Sequence, residues 1–289
     1  MPLWQFHFYT MLIMARLKYP ARESKISVFD WFNPHPSREG EKRMSVDNPN
    51  LAYRIIKRIV KTVYKPFEYV GLENLPEEAA VIVGNHSQLH GPLSMEVYRP
   101  RKSFIWCVAE MTSFTEVSAY AYKDFWSNKP KGVRWIYKIA SWLIAPLCYL
   151  LFNNAKVIPV YRDTRLLGTF KNTVKRLDEG ADVVIFPESY TPYNEIVYDF
   201  QKVFEEVAPI RQRVSGKPVY FVPMYICPEL KKISFGAPTK VEDGKPLREE
   251  LDRIRVYLMD EITRMAKALP RHRVVPYPNM AKKDWPYSK

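Results

Sequence analysis

Four apolar residues, Ala80-Val81-Ile82-Val83, run directly into Gly84-Asn85-His86-Ser87. Four residues are too few for a helix and enough for a buried strand, and the polar cluster behind them marks its carboxyl end. A histidine therefore leaves the core where a strand stops. In open α/β sheets ligands gather at the carboxyl ends of strands, so His86 stands where a general base working near neutral pH can act. The pattern then recurs: Phe104–Val108, Val157–Val160, Val183–Phe186, Val219–Ile226 and Ile233–Phe235 read as further strands. Leu166, Phe170, Val174 and Leu177 form a helical stripe closed by Gly180, which sets a helix between two strands and so predicts a crossover with parallel pairing. Leu247, Leu251, Ile254, Leu258, Ile262, Met265 and Leu269 mark a long amphipathic helix that Pro270 ends. The fold class expected is α/β, a mostly parallel sheet flanked by helices, with an N-terminal helical region and a C-terminal amphipathic helix.

Three regions follow from this reading. Residues 1–65 form an N-terminal helical region able to dock on a membrane, 66–240 the α/β domain, and 241–289 the C-terminal helix with a basic, Pro-rich tail that wraps the body or frays. Within the first region, residues 1–17 are aromatic and aliphatic with no basic leader before them and no small-residue cleavage site, which is unlike a signal peptide. Trp4, Phe6, Phe8, Leu12 and Ile13 followed by Arg16 and Lys18 fit a segment lying in the headgroup layer, or a helix packed on the protein. Residues 19–50 read as an irregular connector. Leu51, Ile55, Ile59 and Val63 at fourfold spacing, with Arg54, Lys57, Arg58 and Lys61 between them, make a basic amphipathic helix. Trp135–Phe152 is the most apolar window, interrupted by Lys138 and Pro146; it reads as a buried or membrane-surface helix, with a membrane span, for which its length is at the lower edge, as the lesser alternative.

Composition narrows the partners. With 289 residues, 47% of them apolar and 26% charged, the chain is globular, and disordered and collagen-like readings fall away. A net charge of +13 implies anionic partners. The basic residues are dispersed and no nucleic-acid motif accompanies them, so an anionic membrane surface is expected and nucleic acid is not. Cys107, Cys148 and Cys227 are few, odd in number and mostly inside apolar runs, which points to a reducing, cytoplasmic setting, peripheral or monotopic on the membrane.

Four segments in order carry a family resemblance. Val70-Gly71-Leu72-Glu73-Asn74-Leu75-Pro76 with Val81-Ile82-Val83-Gly84-Asn85-His86 resembles the first motif region of the glycerolphospholipid acyltransferases, the lysophosphatidic acid acyltransferase-like enzymes. Ile158-Pro159-Val160-Tyr161-Arg162 is similar to their second motif, Val184-Ile185-Phe186-Pro187-Glu188-Ser189 to the third, and Val222-Pro223-Met224-Tyr225 to the fourth. The resemblance spans Phe67–Pro238. It implies acyl transfer from a thioester of coenzyme A or acyl carrier protein, a co-substrate rather than a cofactor, to a hydroxyl of a glycerol phosphate or lysophospholipid. His86 would be the general base and Glu188 would contact or orient the acceptor. Substrate binding would fall to Asn85, Ser87, Arg162, Arg165 and Ser189, the arginines holding phosphate.

Two departures qualify this. Five residues after the histidine the family carries an Asp that orients the imidazole; here Gly91 stands. His90 and Glu96 are the nearby candidates to replace it, and Glu188 is a third. After Glu188 the family's Gly-Thr-Arg is Ser189-Tyr190-Thr191, which removes a cation. The alternative is therefore a catalytically degenerate relative that binds lipid or acyl groups without turnover. A zinc site at His86 and His90 lacks a third ligand, so no metal is expected. Cys107, within FIWCV, reads as core. No Gly-x-Ser-x-Gly elbow is present.

Overall fold

The structure, a computed structural model, describes residues 49–126 and 130–288, all within one compact unit, Met44–Lys289. The expectations for residues 1–17, and for the connector up to residue 48, lie outside the described residues. In chain order the elements are α1 (Leu51–Val63), β1 (Glu68–Val70), β2 (Val81–Gly84), α2 (His90–Tyr98), β3 (Ser103–Val108), α3 (Val117–Ala121), α4 (Arg134–Asn154), β4 (Val157–Val160), α5 (Leu166–Asp178), β5 (Asp182–Ile185), β6 (Glu188–Pro192), β7 (Tyr198–Phe200), α6 (Val207–Ser215), β8 (Phe221–Cys227), β9 (Lys232–Phe235) and α7 (Leu247–Ala268).

Among the described residues seven strands form one sheet in the order β1-β9-β8-β2-β5-β3-β4, while β6 and β7 form a separate antiparallel hairpin. The sheet is parallel except between β8 and β9. The fold is thus α/β with a mostly parallel sheet flanked by helices, as the alternating pattern required. The crossover through α5 is real, but β4 and β5 are not neighbours. Strand β3 lies between them, pairing Ile105 with Val157 on one side and with Val184 on the other.

Strand β2 sits at the centre, flanked by β8 and β5. Its buried residues explain the short apolar run: both faces are covered, so a strand in this position needs no alternation. Ala80, Ile82, Val184, Val222, Met224 and Ile226 are all in one core cluster. Buried carboxylates hold β2 at both ends. Asp182 accepts the Ala80 N–H at 2.9 Å while it pairs with Arg101, and Glu188 accepts the His86 N–H at 2.5 Å.

Helix α7 buries Leu251, Ile254, Leu258, Ile262 and Met265, the middle of the expected stripe, while Leu247 at its start is exposed and Leu269 caps its end, and α5 buries Leu166, Phe170, Val174 and Leu177. Helix α4 differs. Ser141, Ala145 and Asn154 are its buried residues, and Cys148 and Phe152 pack beside Ala145 against Met111 and Val117. One narrow stripe holds it to the body. Trp135, Ile139, Trp142, Leu143 and Leu147 are exposed, Trp142 at 69%, so the buried alternative for this window gives way to a surface helix. Helix α1 likewise exposes Leu51, Ile55, Ile59 and Val63. Its first residues meet the end of α4 where the Asn50 N–H donates to Asn154 Oδ1 at 2.7 Å.

The tail beyond α7 wraps. Val274 N–H donates to the Pro286 carbonyl at 2.8 Å and Arg273 bridges Tyr287, which closes residues 272–288 into a loop. His272 Nε2 meets the Tyr225 hydroxyl of β8 at 2.7 Å, and its Nδ1 lies 2.7 Å from the Pro270 carbonyl. These two contacts set the tautomer: Nδ1–H donates to Pro270 and Nε2 accepts from Tyr225. His272 thereby fastens the tail to the carboxyl end of the sheet.

Candidate active site

The turn after β2 is built from side chains that imitate a strand. The Asn85 amide pairs with the main chain of Ile226 in β8, its Nδ2 donating to the Ile226 carbonyl at 3.1 Å and its Oδ1 accepting the Ile226 N–H at 2.7 Å. That extends the β2–β8 ladder by one step with no further strand residue. Ser87 and Gln88 then take left-handed backbone conformations, φ 47° and 53°. Such residues cost about 1–3 kcal/mol each and persist only where the surroundings over-determine them. Here Asn85 Nδ2 also donates to Ser87 Oγ at 2.7 Å, and the Gly91 N–H donates to the His86 carbonyl at 3.0 Å. The strain turns the chain sharply enough to start α2 within four residues of His86.

Asn85 and Ser87 are buried and their polar groups are used within the protein. The resemblance assigned them to substrate; the structure makes them supports for the turn. Ser189 is half-buried and its Oγ accepts the Thr191 N–H at 3.2 Å.

Glu188, the first residue of β6 and three positions past the end of β5, is fully enclosed. One carboxyl oxygen accepts the His86 N–H and the other the Tyr198 N–H of β7 at 2.9 Å. Burial pushes its carboxyl up to about 7, against the two amide bonds that pull the other way. Glu188 does reach His86, as one expectation had it, but through the main chain: both oxygens serve amides, and neither is directed at an acceptor or an arginine.

The His86 ring is half-buried between two aromatic edges. Phe186 lies 5.5 Å away at 68° and Tyr277 of the tail 5.4 Å away at 70°. Nδ1 is buried with no hydrogen-bond partner. Burial lowers its pKa to about 4, so at neutral pH the imidazole is uncharged, its lone pair free but less basic than an ordinary histidine's.

Neither substitute for the missing Asp serves the ring. His90 Nδ1 bonds the Tyr64 hydroxyl at 3.0 Å, with the two rings stacked. Glu96 receives Tyr53, Lys57 and Arg99 beside a cavity of about 430 Å³ between α1 and α2. Helix α2 begins at His90 and turns both side chains toward α1, away from the strand end. Gly91 has its own reason: a Cβ there would lie 2.5 Å from the His86 carbonyl oxygen and 2.9 Å from the Phe186 ring.

The arginines stand apart as well. Arg162 is exposed just beyond β4, with β5 and β3 between its strand and β2. Three strand spacings amount to about 14 Å. Arg165 is exposed, pairs with Asp163 at 2.8 Å and lies over the Tyr161 ring. The cation that does lie by the β8–β9 turn is Lys231, 4.7 Å from the centre of the Tyr64 ring, next to His90. No motif contains it, and its left-handed backbone, φ 55°, marks only a tight turn. Tyr277 was equally unmarked, one aromatic in a tail rich in proline.

No protein-family model and no curated protein matches the chain. Among solved structures, the 1-acyl-sn-glycerophosphate (LPA) acyltransferase PlsC from Thermotoga maritima is similar, with a TM-score of 0.44 and 15% identity over 75% of this chain and 80% of that one.

Proposed function

We propose that this chain is an O-acyltransferase that moves a fatty acyl group from a thioester of coenzyme A or acyl carrier protein to a hydroxyl of a glycerol phosphate or lysophospholipid. The observation that carries the reading is His86: a neutral imidazole with an unpartnered ring nitrogen, at the carboxyl end of the central strand. The motif resemblance supplies the reaction class. His86 takes the acceptor's hydroxyl proton as that oxygen attacks the thioester carbonyl. The tetrahedral intermediate then expels the thiolate, which recovers the proton from the imidazolium. General base catalysis of this kind contributes about 10²–10⁴ in rate.

Glu188 acts on this base indirectly. Its carboxylate fixes the His86 main chain, and its negative charge, when ionised, favours the imidazolium that forms during attack. Of the cations near the carboxyl end of the sheet, Lys231 at the β8–β9 turn is the one offered for an acceptor phosphate, whereas Arg162 is three strands from β2. Membrane docking completes the proposal. The exposed apolar faces of α4 and α1, with Arg54, Arg58 and Lys61 among the apolar residues of α1, suit the interface of an anionic leaflet, where a lysolipid acceptor resides.

A second reading has one observation in its favour: Tyr277 covers the His86 ring, as in a relative that binds acyl groups or lipid without turning them over. Thiol release from acyl-coenzyme A and acyl carrier protein, against a panel of phosphorylated glycerol and lysolipid acceptors, separates the two. Acceptor-dependent release abolished by His86→Ala is the expected result. Lipid binding with no His86-dependent release would establish the binding protein instead.

A further inference from the structure

A histidine that works as a base must hold its ring in one orientation, and the usual means, a carboxylate on the second nitrogen, is missing here. Position 91 has no room for a side chain. His90 and Glu96 are engaged with α1, and both oxygens of Glu188 are taken by amides. Apart from main-chain groups of His86 and Gln88, what packs on the ring is aromatic. We infer that Tyr277, delivered by the C-terminal tail, is the residue that positions the His86 imidazole, doing by edge packing with Phe186 what a carboxylate does by hydrogen bonding. The inference rests on the proposed role of His86 as base.

The arrangement around Tyr277 has the features of a support. Its ring lies 5.1 Å from that of Tyr190 and 6.4 Å from that of Tyr198. Both belong to the β6–β7 hairpin, the same hairpin whose Glu188 carboxylate accepts the His86 N–H with one oxygen and the Tyr198 N–H with the other. Ring and main chain of His86 are thus referenced to one hairpin, so the imidazole cannot tilt without disturbing it. The tail is fastened on both sides of Tyr277: His272 to Tyr225 at 2.7 Å before it, and the Pro278 carbonyl to Gln88 Nε2 at 3.4 Å after it. Gln88 belongs to the strained turn that follows His86. Edge-to-face ring pairs favour a definite geometry, and a packed wedge of two leaves the imidazole little freedom. It also supplies no charge, which distinguishes it chemically from the carboxylate it replaces.

The test combines ring spectra with kinetics. Histidine-selective ¹⁵N labelling gives five imidazoles; His86 is assigned by its loss in His86→Asn, and His272 serves as the reporter of tail docking. In Tyr277→Ala the His86 ring signals should shift or broaden while those of His272 stay. The kcat should fall on the order of 10- to 100-fold, the scale of a misplaced catalytic group, with KM little changed. Tyr277→Phe keeps the ring and should restore both the spectrum and kcat. Unchanged His86 signals in Tyr277→Ala would overturn the inference, as would a raised KM with unchanged kcat, the mark of a residue that merely lines the substrate site. Should His272 move as well, Tyr277→Leu, which keeps the bulk without the aromatic edge, decides by the same criteria. If the wild type shows no turnover at all, the acyltransferase reading fails while the ligand-free spectrum still tells whether Tyr277 orients the ring.

Discussion

The turn after β2 and the helix α4 break opposite rules. The turn buries polar groups: Asn85, Ser87 and Glu188 lie in the core, two left-handed residues are strained, and one imidazole nitrogen has no partner. The helix exposes apolar ones, two tryptophans and a leucine each more than 60% accessible. Both arrangements are unfavourable in water. Local rules in a folded chain are broken mainly at functional sites, and here the two breaches are complementary: one leaves a buried imidazole nitrogen without a hydrogen-bond partner, the other leaves an apolar helix face uncovered. Helix α7, one residue longer than α4, shows the ordinary solution, with its apolar stripe covered by the sheet.

The largest effect expected is at the base. His86→Ala should reduce acceptor-dependent thiol release by about 10²–10⁴ while leaving vesicle binding intact, because the helix and the turn are separate devices. Loss of both together would show that they are one.

The next prediction concerns charge within the turn. Glu188 titrates near 7 in the folded protein and near 4.5 unfolded, so the folded state holds its proton longer and stability falls as pH rises from 4.5 to 7. His86 titrates near 4 folded and 6.5 unfolded, so stability rises with pH over that interval. Each contributes at most roughly 3 kcal/mol, with opposite sign. Between pH 4.5 and 6.5 the two contributions therefore oppose each other, on top of what Glu205, Glu206 and His90 add. Relative to the wild type, His86→Asn should unmask a stability that declines as pH rises, and Glu188→Gln one that increases. Urea denaturation at half-unit intervals reads the slopes; parallel slopes in the two variants would remove the opposed pair.

For the helix, Trp142→Ser with Leu143→Ser should weaken binding to vesicles of phosphatidylglycerol and phosphatidylcholine by about 100-fold, since withdrawing two large side chains forfeits about 3 kcal/mol or more of apolar burial. The melting temperature should hold, because neither residue packs on the body. A fall in melting temperature with unchanged vesicle binding would place this face against protein instead.

How much of this could be read from the chain alone depends on how local the cause is. Strands β2–β5, β8 and β9, the α5 and α7 stripes and His86 at a strand end are written in three to about twenty consecutive residues, whereas the short β1 and the β6–β7 hairpin carry no apolar run to announce them. Arg162 sits at a strand end too, yet strand order is settled by packing of whole layers, and β5 and β3 intervene. Spacing placed His90 and Glu96 near His86, but helix α2 begins at His90 and turns them to Tyr64, Tyr53 and Lys57. Glu188 was legible as important, but the two amides it holds were not, because they come from the turn after β2 and from β7, far apart in sequence. Tyr277 left no signal, since its significance exists only once the tail has folded back 191 positions to reach His86.

The smallest effect tests why the turn has no carboxylate of its own. Gly91→Asp restores the residue that the resemblance expects, and a sequence comparison alone would predict a gain in turnover. The structure predicts a loss. The new Cβ would sit 2.5 Å from the His86 carbonyl oxygen and 3.1 Å from that of Asn85, main-chain atoms held by the Asn85–Ile226 pairing and unable to swing aside. Overpacking of this kind costs about 1–3 kcal/mol, which at this chain length lowers the melting temperature by roughly 2–4 °C per kcal/mol. Gly91→Ala carries the Cβ without the charge and should show most of the loss, which separates crowding from an unpaired carboxylate. Should Gly91→Asp instead melt with the wild type and turn over faster, the turn has space for a carboxylate, and aromatic packing of the His86 ring is a weakened substitute rather than the working arrangement.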